Sequence, residues 1–220
     1  MKRTLILVSI LLICSMMLGA CSVVDALSPV QPTLAPGTLM IEDVFSETPN
    51  GWGSMGRSGG EIGFEYEGLT IKVNTPNFMF WTVNGSKFRD TRIEVDAVLL
   101  EGPADDNFGL ICRFKDNNNF YAFVISHDGY YGIFKMIEGV IDLGDENANL
   151  DYSDAIRQGG VVNHISVTCD GELLTLTVND TLLSQIQDSS FSEGQVGLIA
   201  SAYGDPGVKV LFDNLKIYQP

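Results

Sequence analysis

Basic side chains are scarce in this 220-residue chain: 13 Lys and Arg stand against 28 Asp and Glu, a formal net charge of −15. A surface this acidic repels phosphate, which speaks against nucleic acid as a partner and against anionic membrane surfaces. Histidine and cysteine are also few, two and four. His127 and His164 stand alone, with no nucleophile at a triad-like spacing and no zinc-ligand spacing. Long apolar runs are missing too. The longest, residues 5–18, is shorter than the ~20 residues a membrane-crossing helix requires. Helix signals are rare. Only "SDAIRQGG" (153–160) has a capping Ser153 and a closing Gly159, enough for one turn.

What is present begins with an address. Lys2 and Arg3 precede the short apolar run, the pattern of a secretory signal. Leu18-Gly19-Ala20-Cys21 follows directly and resembles the lipobox of bacterial lipoproteins. That resemblance implies cleavage after residue 20 and a diacylglyceryl group on the Cys21 thiol. Ser22 follows, not Asp, so the inner-membrane retention signal of some bacteria is absent. Residues 1–20 thus read as signal peptide and 21–40 as lipidated cysteine and tether, with three prolines in 22–37. Loss of Lys2 and Arg3 leaves 11 basic residues against 28 acidic, a net of −17. The resemblance implies a lipid-anchored protein. Its partner would be the bilayer of the bacterial cell membrane or outer membrane, and it would face the extracytoplasmic side.

Residues 41–220 read as one domain. Alternation of period two dominates, and Gly, Asn and Asp punctuate it about every ten residues. In "TRIEVDAVL" (91–99), Ile93, Val95, Ala97 and Leu99 share a face. The rhythm predicts an all-β, two-sheet antiparallel sandwich. "FGLICRFKDNNNFYAFVISHDGYYGIFK", "VNHISVTCDGELLTLTVNDTLL", "GQVGLIAS" and "VLFDNLKIYQ" resemble the concanavalin A-like, laminin-G-like jelly rolls across 41–218. That superfamily holds lectins, glucanases and bacterial surface domains, so it implies a jelly roll and leaves the activity open.

Catalytic motifs are incomplete. Family 16 glycoside hydrolases carry two glutamates around an aspartate on one strand, which sends the carboxylates into one cleft. Glu94 and Asp96 match the first two acids, but Val98 or Leu99 stands where the second glutamate belongs, so the pair reads as a solvated strand face. "DENANLDYSDAI" (145–156) lacks the Gly and Glu of a calcium-binding EF-hand, with Leu150 and Ile156 in their places. The function expected is therefore glycan binding by a membrane-anchored, lectin-like domain. The alternatives are a structural or protein-interaction module and a glycoside hydrolase-like enzyme.

Residues 109–134 carry seven aromatic rings, and alternation divides them. Tyr121, Phe123, Tyr131 and Phe114 are expected in the core. Arg113, Phe120 and Phe134 are expected on the outer face, which the jelly-roll resemblance makes the concave one, as a glycan platform where a ring stacks on a sugar and Arg binds hydroxyls. Trp81 lies between two phases and is grouped with them. Removal of Cys14 with the signal and lipidation of Cys21 leave Cys112 and Cys169, which predicts a disulfide in an oxidising exported compartment. "VLFDNLKIYQ" resembles the last strand of family 16 glucanases. That likeness implies a structural calcium ion at Asp213, with Asp43 as a second ligand if the chain ends pair.

Overall fold

The computed structural model describes residues 34–46, 51–52, 59–144 and 150–220. The signal segment, Cys21, most of the tether and residues 145–149 of the acidic stretch lie outside them. The described residues form strands and turns only. In chain order the strands are β1 (Leu39–Asp43), β2 (Gly60–Glu65), β3 (Gly68–Val73), β4 (Phe78–Phe88) and β5 (Thr91–Glu101). Next come β6 (Asn107–Asp116), β7 (Asn119–Ser126), β8 (Tyr130–Ile137), β9 (Val140–Asp142) and β10 (Asp151–Tyr152). The last are β11 (Asn163–Asp170), β12 (Leu173–Val178), β13 (Thr181–Gln187), β14 (Gly194–Ala202) and β15 (Val208–Tyr218). β1 begins at Leu39, inside the segment expected as tether, and Gly37 N–H donates to Gln219 O at 2.8 Å.

Two antiparallel sheets result. The first runs β13-β12-β11-β5-β15-β3-β2, with β1 on β15. The second runs β10-β8-β7-β6-β14-β4, with β9 also on β8. Hairpin neighbours such as β11–β12 and β6–β7 alternate with pairs distant in the chain, such as β5–β15 and β6–β14, as in a jelly-roll sandwich. Alternation explains the core. Ile93, Val95, Ala97 and Leu99 of β5 face in with Ile165, Val167 and Cys169 of β11. Leu110 and Cys112 of β6 and Tyr121, Phe123 and Ile125 of β7 meet them from the second sheet. Each such side chain removed from water contributes roughly 1.5–3 kcal/mol. Cys112 and Cys169 form the predicted disulfide, 57 residues apart, and it ties β6 in one sheet to β11 in the other.

One irregularity changes the faces of β6. Arg113 has φ +52°, and the β6–β7 register shifts after Cys112. Such a bulge reverses the facing of every side chain beyond it. Gly194 on β14 permits the close approach, since a Cβ there would lie 2.4 Å from the Arg113 carbonyl carbon. Phe114, expected in the core, is accordingly delivered to the outer face, where it stacks on Phe120 at 5.6 Å. Arg113, expected outside, is buried at 2% exposure. Tyr121 and Phe123 are core residues as expected, and Tyr131 packs partly buried against them.

Candidate functional site

The outer face of the second sheet is unusually apolar. Ile111, Phe114, Phe120, Ala122, Val124, Phe134, Met136 and Ile199 form a second buried cluster there, with Met79, Trp81, Val83 and Leu150 packed against it. On an outer sheet face, alternation normally places polar groups. Above part of this cluster lies a cleft of about 900 Å³, within the range of roughly 300–1,000 Å³ typical of small-molecule sites.

Strand register orders the cleft into rows. In one row β8, β7, β6, β14 and β4 contribute Gly132, Val124, Gly109, Ile199 and Trp81. Leu150 occupies the space that Gly132 leaves, as a Cβ there would stand 2.6 Å from Leu150 Cδ2. The row on one side brings in Phe134, paired with Ala122, and continues through Ile111. The row on the other side is polar. Ser126 pairs with Asn107, and Ser201 Oγ donates to Asn107 O at 3.2 Å. Asp105, Asp128, Tyr130 and Tyr203 also line the cleft, and Ile141 and Leu143 add apolar surface.

Turns hold the polar end in place. Asp128 N–H donates to Ala104 O at 3.0 Å, which links the β5–β6 and β7–β8 turns. Ser126 Oγ donates to Asp128 and accepts from Tyr130 N–H at 3.2 Å. The Tyr130 and Tyr152 rings meet edge to face at 5.6 Å. Asn107 Oδ1 is buried and accepts no hydrogen bond from any described residue. Beside it, Asp106 is fully buried; its Oδ1 accepts from Tyr203 N–H at 2.7 Å and its Oδ2 has no such partner. Burial pushes the Asp106 carboxyl above the ordinary aspartate range. The Tyr203 hydrogen bond opposes the rise, and Asp105 and Asp205 add to it. His127, one residue from the rim, is buried, and burial holds its imidazole below the ordinary histidine value. Its ring nitrogens face the N–H groups of Leu99 at 3.3 Å and Gly160 at 3.2 Å. A neutral ring has one acceptor position for these donors, and a protonated ring has none.

The residues expected from sequence divide as follows. Trp81 and Phe134 line the cleft. Phe120 has the expected face but is fully covered; it packs under Phe114 and against Trp81, whose ring centroid is 5.4 Å away. Phe120 therefore supports the platform and does not meet a ligand. Arg113 does not join the site. It donates to Phe191 O at 2.9 Å, to Arg89 O at 3.2 Å and to Asp90 at 3.2 Å, and these bonds make its burial tolerable. Asp105, Asn107, Asp128, Ser201 and Tyr203 were not anticipated. Four of the five lie in turns or at strand ends, where alternation carries no signal.

The chain ends do pair, with Asp43 opposite Leu215 and Asp213 two residues along. Yet Asp43 is buried and both its oxygens are taken, by Phe45 N–H at 2.8 Å and Trp52 Nε1–H at 3.0 Å. Asp213 Oδ1 accepts from Asn214 N–H at 2.7 Å. Among the described residues no group of three or more His, Cys, Asp and Glu stands where it could hold a metal ion. Glu94 and Asp96 belong to the other sheet, remote in topology from the cleft. Glu94 pairs with Arg92, and Asp96 contacts His164 Nδ1 at 2.8 Å and accepts from Asn214 Nδ2–H at 3.0 Å.

The fold and the cleft define a two-sheet jelly-roll sandwich with a pocket on one outer face. No family model matches the chain, and no curated protein matches it. Solved structures do. Carbohydrate binding module CBM66 from Bacillus subtilis is 20% identical, with TM-score 0.61 over 77% of this chain and 96% of that one. The carbohydrate recognition domain of Emp47p is 14% identical, with TM-score 0.58 over 86% and 99%. The GH43 protein BlXynB from Bacillus licheniformis is 10% identical, with TM-score 0.59 over 81% of this chain but 39% of that one. At these identities the likeness is one of fold.

Proposed function

We propose that this protein is a glycan-binding domain and that its site is the cleft above Val124, Ile199 and Trp81. The observation that carries the reading is a set of rings beside an unfilled acceptor. Trp81, Phe134 and Tyr130 line the same cleft as Ser126, Ser201 and Asn107, and the buried Asn107 Oδ1 has no donor among the described residues. A sugar has both an apolar ring face that stacks on an aromatic and hydroxyls that donate to such an oxygen. The similar structures include a carbohydrate binding module and a carbohydrate recognition domain, which agrees with this reading. Asp105 and Asp128 at the rim favour neutral or cationic sugars.

A glycan array probed with the wild type, Trp81→Ala and Asn107→Ala tests the proposal. Loss of stacking costs ~1 kcal/mol, about fivefold in affinity. The Asn107 variant weakens every glycan that the wild type retains. Absence of any array signal, or variants that bind normally, refutes the site. We further propose display from a membrane through lipidated Cys21, where many copies compensate a weak single site by avidity. Cys21→Ser then abolishes labelling by an alkyne palmitate analogue, and persistent labelling refutes the anchor.

A further inference from the structure

The two ends of the cleft differ in chemistry. Val124, Phe134 and Ile199 underlie it and are already covered, at 4%, 8% and 1% exposure, so the apolar surface it offers comes from the part-buried Met79, Trp81 and Leu150 and from Phe78. Ile141 and Leu143 extend that surface at the rim, 49% and 39% exposed. Hydrogen-bonding groups gather one row away, at Ser126, Asn107 and Ser201 beside Asp105 and Asp128. A bare oligosaccharide that filled the whole cleft would lay hydroxyls on the apolar lining. Those hydroxyls would lose water and gain no partner, which is unfavourable. A sugar at the polar end alone would leave the exposed apolar lining, Ile141 and Leu143 above all, in water. Among the described residues that line the cleft there is no Lys or Arg, and two are aspartates.

We infer that the ligand is an amphiphilic glycoside: an uncharged or cationic sugar held at the polar row and joined to an alkyl or aryl group that lies against Leu150, Ile141 and Leu143. This deepens the glycan reading and rests on it. The sugar supplies donors for Asn107 Oδ1 and contacts Tyr130, and the apolar group displaces water from Leu150, Ile141 and Leu143. An anionic head is refused by Asp105 and Asp128, with no cation to offset them.

Titration calorimetry on the full-length protein tests this with matched probes below their critical micelle concentrations. Methyl and octyl β-glycosides of glucose, galactose and mannose are compared with octyl sulfate and 1-octanol. For at least one sugar, the octyl glycoside binds tenfold or more tighter than its methyl partner, since each buried methylene adds to affinity. Octyl sulfate and 1-octanol bind more weakly than that glycoside. Leu143→Asp, an exposed change that leaves the melting temperature in place, removes most of the octyl advantage; Ile141→Asp is the second such variant. Equal methyl and octyl affinities overturn the inference and leave the glycan reading to stand on its array. Octanol as tight as the octyl glycoside overturns both, because the sugar then contributes nothing. Octyl sulfate as tight as the glycoside, or no binding by any glycoside, also overturns the inference.

Discussion

Replacing Asp106 by Asn should stabilise this protein at neutral pH, although it removes a fully buried residue's charge. The Oδ1 position, which accepts from Tyr203 N–H at 2.7 Å, is preserved in Asn. What disappears is the negative charge; the Nδ2–H donors that take the Oδ2 position find no partner among the described residues either, so an orphaned group remains. The gain is the cost of burying the charge rather than a neutral group, together with the repulsion from Asp105 and Asp205. A gain on the order of 1 kcal/mol is therefore expected at pH 7, with a melting rise of about 2–4 °C per kcal/mol for a chain of this size. The pH dependence has a definite sign. The folded-state pKa is raised above the ordinary 3.8. Protonation of Asp106 thus favours folding below that value, and this contribution is lost as pH rises through the folded-state pKa. The advantage of Asn should be full at pH 7 and nearly gone below about pH 4. Urea unfolding of both proteins at pH 7 and pH 4 reads this directly. A variant less stable than wild type at pH 7 refutes the reasoning, because the orphaned oxygen would then have a favourable partner such as a bound cation.

Replacing Cys112 and Cys169 together by Ala removes a cross-link over 57 residues, which costs about 4 kcal/mol by loop entropy. Mass spectrometry without reductant should find neither wild-type cysteine alkylated after denaturation. Arg113→Met leaves Phe191 O and Arg89 O without their donor and costs about 3 kcal/mol in urea unfolding, while the folded protein keeps its glycan affinity. Full stability with lost binding would return Arg113 to the site. His127 is held below its ordinary 6.5 by burial, so the stability that its neutral form contributes is present above about pH 6.5 and is lost as pH falls toward the folded-state value. His127→Gln should flatten the stability curve between about pH 6.5 and 5, and an unchanged slope there would refute the assignment.

Side-chain alternation is a local property, and the sequence by itself determined what depends on it. The inward set Ile93, Val95, Ala97 and Leu99 and the opposite facings of Tyr121 and Phe120 follow from period two within one strand. So does the outward placement of Phe134. The disulfide followed from counting cysteines in two strands of a chain whose first residues read as an export signal. Other features depend on which strands become neighbours, and only the tertiary structure decided them. Arg113 and Phe114 exchanged roles because β6 bulges where the Gly194 backbone presses against it, a contact between residues about eighty positions apart. Phe120 vanished beneath Phe114 for the same reason. The cleft is lined by Ile141 on β9, by Leu143 just after it, by Leu150 just before β10, and by Asp105 and Tyr203 from two turns. Turns obey no period, so their convergence on Asn107 became visible only once the sheet had brought their ends together.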